Sequence, residues 1–330
     1  MTQGRRRGRS RVWMRGVVVA LAMGGYVGLP SAGQETFELT GDGWAQVAAP
    51  EPGTPEAALQ TIRKALAEDR GKEALELADA WIEANPGNGY MPMALLLRGD
   101  AKVALNDYWE ALYDYEQVIL SYPASAEYLT AIEREYGIAQ VFLDGYKRKL
   151  LGLRLLPTGG EGEELMIRVQ ERAPGSRVGH DASLALSDYY FNQQQMTLAA
   201  EAYDLFMENY PDSDRREWAL LRLIQANLAR FKGPRFDGTG LIEADERLQQ
   251  YALEYPASAE RIGVAGLRER ITESLARRDL STADWYARRG DPVAAATMYR
   301  RLVEEFPQSR AAREAIAWLD EQGLPLAVER

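Results

Sequence analysis

Six times along this chain of 330 residues a small residue is followed twelve positions later by a proline: Ala74/Pro86, Ala111/Pro123, Gly162/Pro174, Ala199/Pro211, Ala244/Pro256 and Ala295/Pro307. In five of these units bulky apolar residues stand four and seven positions after the small one: Tyr115 and Val118, Met166 and Val169, Tyr203 and Phe206, Leu248 and Tyr251, Tyr299 and Leu302. The first unit is looser, with Ala78 and Trp81. Such offsets fall on one face of an α-helix. Proline lacks an amide hydrogen and drives the preceding residue out of helical geometry, so a helix end is predicted before each proline. Two positions further on stands Asn88, Ser125, Ser176, Ser213, Ser258 or Ser309, a residue type that caps a new helix. The chain therefore reads as helices punctuated at a fixed interval.

A second small residue precedes the first by twelve positions in three units: Gly99 before Ala111, Ser187 before Ala199 and Ala283 before Ala295. Missing volume at both places lets two antiparallel helices approach closely while larger residues fill the flanks. In the first unit Ile62 occupies that place. Small-to-small spacing closed by proline resembles the tetratricopeptide repeat, whose unit is about 34 residues. The resemblance implies an all-α fold: five or six helical hairpins over residues 54–330, stacked in a right-handed superhelical solenoid. Gly99, Ala111, Pro123, Ala199, Pro211, Ala244, Pro256, Ala295 and Pro307 are its expected structural positions. Unrelated amphipathic helices would not keep one spacing this often.

Met1 to Arg15 carries six arginines and no acid, an apolar run follows from Val17 to Leu29, and Ser31 and Gly33 end it. That order is a secretory signal over residues 1–33, too short to span a bilayer comfortably; an uncleaved anchor is the alternative. Arg5-Arg6-Arg7 lacks the rest of a twin-arginine motif. Residues 34–53, with Gly41, Gly43, Pro50, Pro52 and Gly53, read as a flexible linker. Without residues 1–33 the chain carries 33 basic and 49 acidic residues, a net charge of −16. Nucleic acid is excluded as a partner by that balance. With no cysteine there is no disulfide, no thiolate metal site and no lipid-bearing thiol.

Two units are interrupted. Gly137 to Gly162 is longer than twelve, the excess falling in Leu151 to Glu163 with Pro157, Gly159 and Gly160. Phe231-Lys232-Gly233-Pro234-Arg235-Phe236-Asp237 breaks the unit before Ala244. Ala259 to Arg278 adds a helix ahead of the last hairpin. Long loops on a regular scaffold tend to carry function. From about Ala182 to Ser309 the order of parts resembles the BamD family of periplasmic outer-membrane β-barrel assembly factors. The resemblance is carried by Ala199-Ala200-Glu201-Ala202-Tyr203, Tyr210-Pro211-Asp212-Ser213, the interrupted unit, and the long helix into Ala283-Asp284-Trp285-Tyr286-Ala287-Arg288-Arg289-Gly290. In that family a tyrosine and a glycine-terminated turn occupy the places of Tyr286 and Gly290. Its members carry lipid on a cysteine, which this chain lacks.

The resemblance implies a non-catalytic scaffold at the periplasmic face of the outer membrane. Its expected partners are other proteins, either assembly machinery or unfolded outer-membrane proteins, with indirect membrane association. An adaptor for cell-wall or cell-division machinery suits the same repeats. A glycan-cleaving enzyme is the third reading, but no segment is large enough for a catalytic domain; Glu161, Glu163 and Glu164 read as exposed loop acids. Asp100, Asp188 and Asp284 each follow the small residue of a first helix, the position that lines the concave groove in tetratricopeptide solenoids. Phe191 lies three residues beyond Asp188, and Tyr136 and Trp218 are further groove candidates. Aligned carboxylates and aromatics suit a partner's extended or helical segment. His180, the one histidine, reads as a surface or cap residue, and Tyr146-Lys147-Arg148-Lys149 with Arg154 as a basic cluster. No catalytic residue, metal site or cofactor is expected.

Overall fold

The structure, a computed structural model, describes residues 36–40, 43–47, 50–150 and 153–326. The signal reading over 1–33 lies outside the described residues. Two compact units are present, Met1–Ala57 and Ala58–Arg330. In the first, β1 (Thr36–Thr40) pairs antiparallel with β2 (Gly43–Val47), Thr36 opposite Val47 and Thr40 opposite Gly43. A linker without regular structure is expected there; instead, the alternation Thr-Phe-Glu-Leu-Thr ahead of Gly-Asp-Gly is strand-and-turn chemistry.

The helices are α1 (Pro55–Ala67), α2 (Gly71–Ala84), α3 (Met91–Ala104), α4 (Tyr108–Ser121), α5 (Glu127–Leu143), α6 (Gly159–Arg172), α7 (Arg177–Asn192), α8 (Met196–Asn209), α9 (Arg216–Arg230), α10 (Thr239–Glu254), α11 (Pro256–Ile262), α12 (Val264–Arg289), α13 (Pro292–Glu305) and α14 (Arg310–Glu321). All six proline-marked helices end two residues before their proline. The residue between, Asn85, Tyr122, Ala173, Tyr210, Tyr255 or Phe306, has φ from −133° to −126° and ψ from 51° to 62°. That backbone lies outside the helical region, which a following proline disfavours, but short of the fully extended one. The capping expectation holds at two places: Ser176 Oγ accepts the Gly179 N–H and Ser309 Oγ the Ala312 N–H. Asn88 and Ser213 instead accept the N–H two residues on, bracing a turn. Ser258 lies inside α11, because Pro256 opens that helix, and the Ser125 hydroxyl makes no hydrogen bond among the described residues.

From α2 to α10 each helix packs on the next, and α3 also touches α5, α5 touches α7, α10 touches α12 and α12 touches α14. This is an all-α solenoid of tetratricopeptide-like hairpins, each burying its face against its neighbours. Ala111, Ala199, Ala244, Ala295, Ser187 and Ala283 are fully buried at the helix crossings. Gly99 has no room for a side chain: a Cβ there would stand 2.4 Å from Cε1 of Tyr115. Gly137, the corresponding small residue of the third unit, differs, since a Cβ would meet nothing within 4 Å.

Three expectations are corrected. The excess in the third unit is a β-hairpin, β3 (Lys147–Leu150) against β4 (Leu153–Pro157), with a register shift between Arg148 and Lys149. Glu161, Glu163 and Glu164 are not loop acids; they lie in the first turns of α6, where Glu163 accepts the Tyr190 hydroxyl and Glu164 pairs with Arg168. The extra helix and the first helix of the last hairpin are one 26-residue helix, α12, closed by Gly290 in the left-handed conformation, φ 80°. No helix among the described residues is long and apolar enough to cross a membrane.

Candidate functional site

Asp100, Asp188 and Asp284 sit one residue beyond a small residue of α3, α7 and α12, so each reaches the second helix of its hairpin. Each accepts a hydrogen bond from a tyrosine fifteen residues later, Tyr115 at 2.7 Å, Tyr203 at 2.5 Å and Tyr299 at 2.7 Å. Those tyrosines are the groups four positions after Ala111, Ala199 and Ala295, and their rings are buried in the hairpin core. Burial and the adjacent carboxylate push all three phenols well above the ordinary tyrosine range. The three carboxylates are half-buried, not freely solvated as an exposed groove lining would be.

Around Asp188 the structure gathers three of the named residues. The Phe191 ring meets Tyr203 edge-on at 6.3 Å, and Tyr203 meets Trp218 of α9 at 5.8 Å. The Arg222 guanidinium lies 4.5 Å from the Phe191 centroid and 5.1 Å from that of Trp218, held between two π faces. Burial raises the Asp188 carboxyl above its usual range, against the pull of the Tyr203 bond and Arg222. Asp188 also opens on a cleft of about 580 Å³ between α5 and α7, with Gln140, Val141, Asp144, Tyr189 and Asn192. Tyr136 stands outside the aromatic cluster and accepts from Gln140 Nε2 at 2.8 Å.

The other two aspartates line separate clefts. Asp100 is held by Arg134 through both carboxylate oxygens, at 2.7 and 3.2 Å, beside a hollow of about 420 Å³ lined by Leu66, Met93 and Leu96 together with Arg63 and Glu127. Asp284 faces the segment that interrupts the fifth unit, in a cleft of about 400 Å³ with Arg235 and Arg288. The aspartates therefore mark three positions along the solenoid, each already committed to a tyrosine. Arg134 and Arg222, which complete two of these sites, carry no signal in the repeat pattern.

His180 joins two helices. Its Nδ1 lies 3.0 Å from Asp181 Oδ1 and its Nε2 2.8 Å from Ser213 Oγ, which also accepts the Arg215 N–H. The residue types match a hydrolytic triad. Their setting is a packed joint, with the imidazole edge-on to Phe206 and Tyr210, both at 5.1 Å, and Ser213 at the turn-bracing place of its repeat. Of the basic cluster, Tyr146 packs against Tyr108 and Phe142; the side chains of Arg148, Lys149 and Arg154 lie outside the described residues. No group of three or more His, Asp or Glu among the described residues is placed to hold a metal ion.

A family model described as outer membrane lipoprotein, YfiO, matches residues 163–329. The outer membrane protein assembly factor BamD of Pasteurella multocida (strain Pm70) is 24% identical over 163 residues, 46% of this chain and 63% of that protein. The chain thus spans less than two thirds of this relative's length. Among solved structures, the C-terminal part of a tetratricopeptide repeat-containing protein from Cytophaga hutchinsonii aligns at 11% identity and TM-score 0.41, over 81% of this chain and 89% of its own. PilW, a type IV pilus biogenesis factor, aligns at 16% identity and TM-score 0.32, over 81% of this chain and all of its own. The family match begins in α6 and takes in the aromatic cluster at Asp188, the interrupted unit and the long α12; the chain belongs to the YfiO family of outer membrane lipoproteins.

Proposed function

We propose that this protein is a non-catalytic scaffold of outer-membrane β-barrel assembly, exported to the periplasm and working at the inner face of the outer membrane. The observation that carries this reading is the family match over residues 163–329, reinforced by the BamD relative. Removal of a signal over 1–33 is part of the proposal, as is a protein partner held along the clefts at Asp100, Asp188 and Asp284. Phe191, Trp218 and Tyr136 supply aromatic surface beside them. The half-buried carboxylates are set firmly enough to orient a partner segment, because each is tied to a tyrosine.

Co-purification from envelope fractions tests the role. Recovery of a barrel-insertase subunit is expected; recovery of wall-associated or division proteins alone would favour an adaptor for that machinery instead. Asp188→Ala with Phe191→Ala is expected to weaken capture more than Asp188→Ala alone, with the melting temperature of the double variant no lower than that of the single one. Loss of capture in proportion to loss of stability would place Phe191 in the fold and not in the binding surface.

A further inference from the structure

The segment between α9 and α10 is built as a displayed tip. The Phe236 N–H donates to the Gly233 carbonyl at 3.0 Å, and Gly233 takes φ 123°, so Gly233-Pro234-Arg235-Phe236 closes into a tight turn. At its end the Phe236 ring is 57% exposed, and Lys232, Pro234 and Arg235 around it are exposed as well. The turn is anchored by Asp237, which accepts from Thr239 through both its N–H and hydroxyl, and by the buried Gly238 against Arg278. A rigid turn holding a large aromatic ring in water serves no packing need of its own.

The surface beside the tip has the same character. A cleft of about 720 Å³ runs under Pro234, Arg235 and Phe236 to Trp285, Arg288 and Arg301. Trp285 is 46% exposed, with the Arg289 guanidinium 4.9 Å from its centroid. Several nearby charges are already matched: Arg278 with Asp279, Arg301 with Glu305, Arg277 with Glu314. Lys232, Arg235 and Arg288 form no hydrogen bond or ion pair among the described residues; of the acids facing them, Asp237 accepts from Thr239, Asp284 from Tyr299, and Asp279 and Glu314 are paired with Arg278 and Arg277. On a chain of net charge −10, this is a local surplus of unpaired cations framing exposed aromatic rings.

Aromatic rings at a tip with cations set just behind them is the arrangement that favours a membrane–water interface. Rings settle at the headgroup level while lysine and arginine meet anionic phosphates. The geometry points to the 231–237 turn and the adjoining face of α12 as a docking surface for an anionic phospholipid membrane, with Phe236 as the inserting group. This goes beyond protein scaffolding and replaces the indirect membrane association expected from sequence. It requires no covalent lipid.

Flotation of the full chain with vesicles tests it without any protein partner, so its outcome is separate from that of the envelope co-purification. Vesicles of equal parts phosphatidylcholine and phosphatidylglycerol are expected to carry the protein up, and phosphatidylcholine alone to leave it behind. Arg235→Gln and Arg288→Gln should each weaken binding about fivefold, the loss expected for one surface cation. Phe236→Ser should abolish whatever binding persists at high salt, with an unchanged melting temperature, since the ring is solvent-exposed. Equal flotation of wild type and all variants would overturn the assignment. So would indifference to phosphatidylglycerol together with capture of a polyglutamate peptide that depends on Arg235 and Arg288, which would make the surface a seat for an acidic protein segment.

Discussion

The hairpins α3/α4, α7/α8 and α12/α13 are held differently from α5/α6 and α9/α10. In the first three, a tyrosine in the core of the second helix reaches back to an aspartate of the first. In the other two, both interrupted by insertions, Met166 and Leu248 take the tyrosine's place and arginine–carboxylate pairs alone tie the helices, whereas α3/α4 has such a pair, Arg98 with Asp114, beside its tyrosine. Arg172 of α6 meets the fully buried Glu135 of α5 at 2.7 Å, and Arg230 of α9 pairs with Glu243 of α10. The tyrosine tie fixes the distance between helices that touch at small residues, as at Gly99. In the interrupted hairpins the close crossing falls on the second helix: a Cβ on Gly162 would stand 2.9 Å from Leu143 Cδ2 and one on Gly240 2.5 Å from the Asn227 carbonyl oxygen, while Gly137 has open space. Where the chain inserts extra residues, the helices still meet closely at a glycine, and arginine–carboxylate pairs take the place of the tyrosine tie.

The largest expected break is Arg172→Ala. It strips Glu135 of its cation while leaving the carboxylate with no exposure, and Glu135 Oε1 already lacks a hydrogen bond. An orphaned buried charge costs about 3–5 kcal/mol, read as a lower midpoint in urea. The same carboxyl gives a pH signature. Burial raises Glu135 from 4.5 to about 7, against the pull of Arg172. An acid whose folded pKa is raised holds its proton longer when folded than unfolded. Its contribution is therefore complete below 4.5 and is lost as pH climbs towards about 7. Glu135→Gln should flatten that part of the stability profile; a parallel profile would show that Glu135 is not the titrating group.

Next in size is Gly99→Leu, which drives a branched side chain into the Tyr115 ring and should cost about 1–3 kcal/mol or more. An undiminished melting temperature would count heavily against close packing at that crossing. Tyr203→Phe then removes one hydrogen bond to a carboxylate, about 1.5 kcal/mol, the low end for charged partners because Asp188 is half-exposed. The matching change in an interrupted hairpin, Met166→Leu, should be nearly silent. Smallest, and of opposite sign, is Gly137→Ala: with open space around it, the helix should gain about 0.5–1 kcal/mol. A destabilised Gly137→Ala would mean that α5 is crowded at Gly137 as it is at the Gly162 crossing.

Helix ends were the most legible part of this fold, because proline acts on its immediate neighbour whatever the surroundings. Fully buried positions such as Ala111, Ala244 and Leu302 were legible for a related reason, since a helix period places them on one face. The aspartate positions were readable too, but their tyrosine partners were not paired with them, although Asp100/Tyr115, Asp188/Tyr203 and Asp284/Tyr299 share one separation. A repeat registers residues within a helix more plainly than bonds between two. The β3–β4 hairpin was missed because Pro157, Gly159 and Gly160 drew attention to a loop and away from the apolar residues before them. Ser213 against His180 was unreadable, since the contact depends on how one turn is laid over the next helix.

The unbroken α12 has a mechanical consequence. At about 1.5 Å per residue, its 26 residues extend close to 40 Å. It contributes Ile271 to the main core and Ala276, Leu280 and Ala283 to the terminal one. Elsewhere in the solenoid a hairpin can melt from its neighbour at the cost of one interface, since each is joined to the next by a turn. Here the connection is a rod embedded at both ends, so the last hairpin cannot tilt without prying at α10. A pull on α13 or α14 is passed along the rod as torque, and fraying of the C-terminal hairpin is checked at Ile271 before it reaches the interrupted unit. A proline placed at Arg277 would turn the rod into a hinge and let hydrogen exchange in α13 rise while that in α7 and α8 stayed slow.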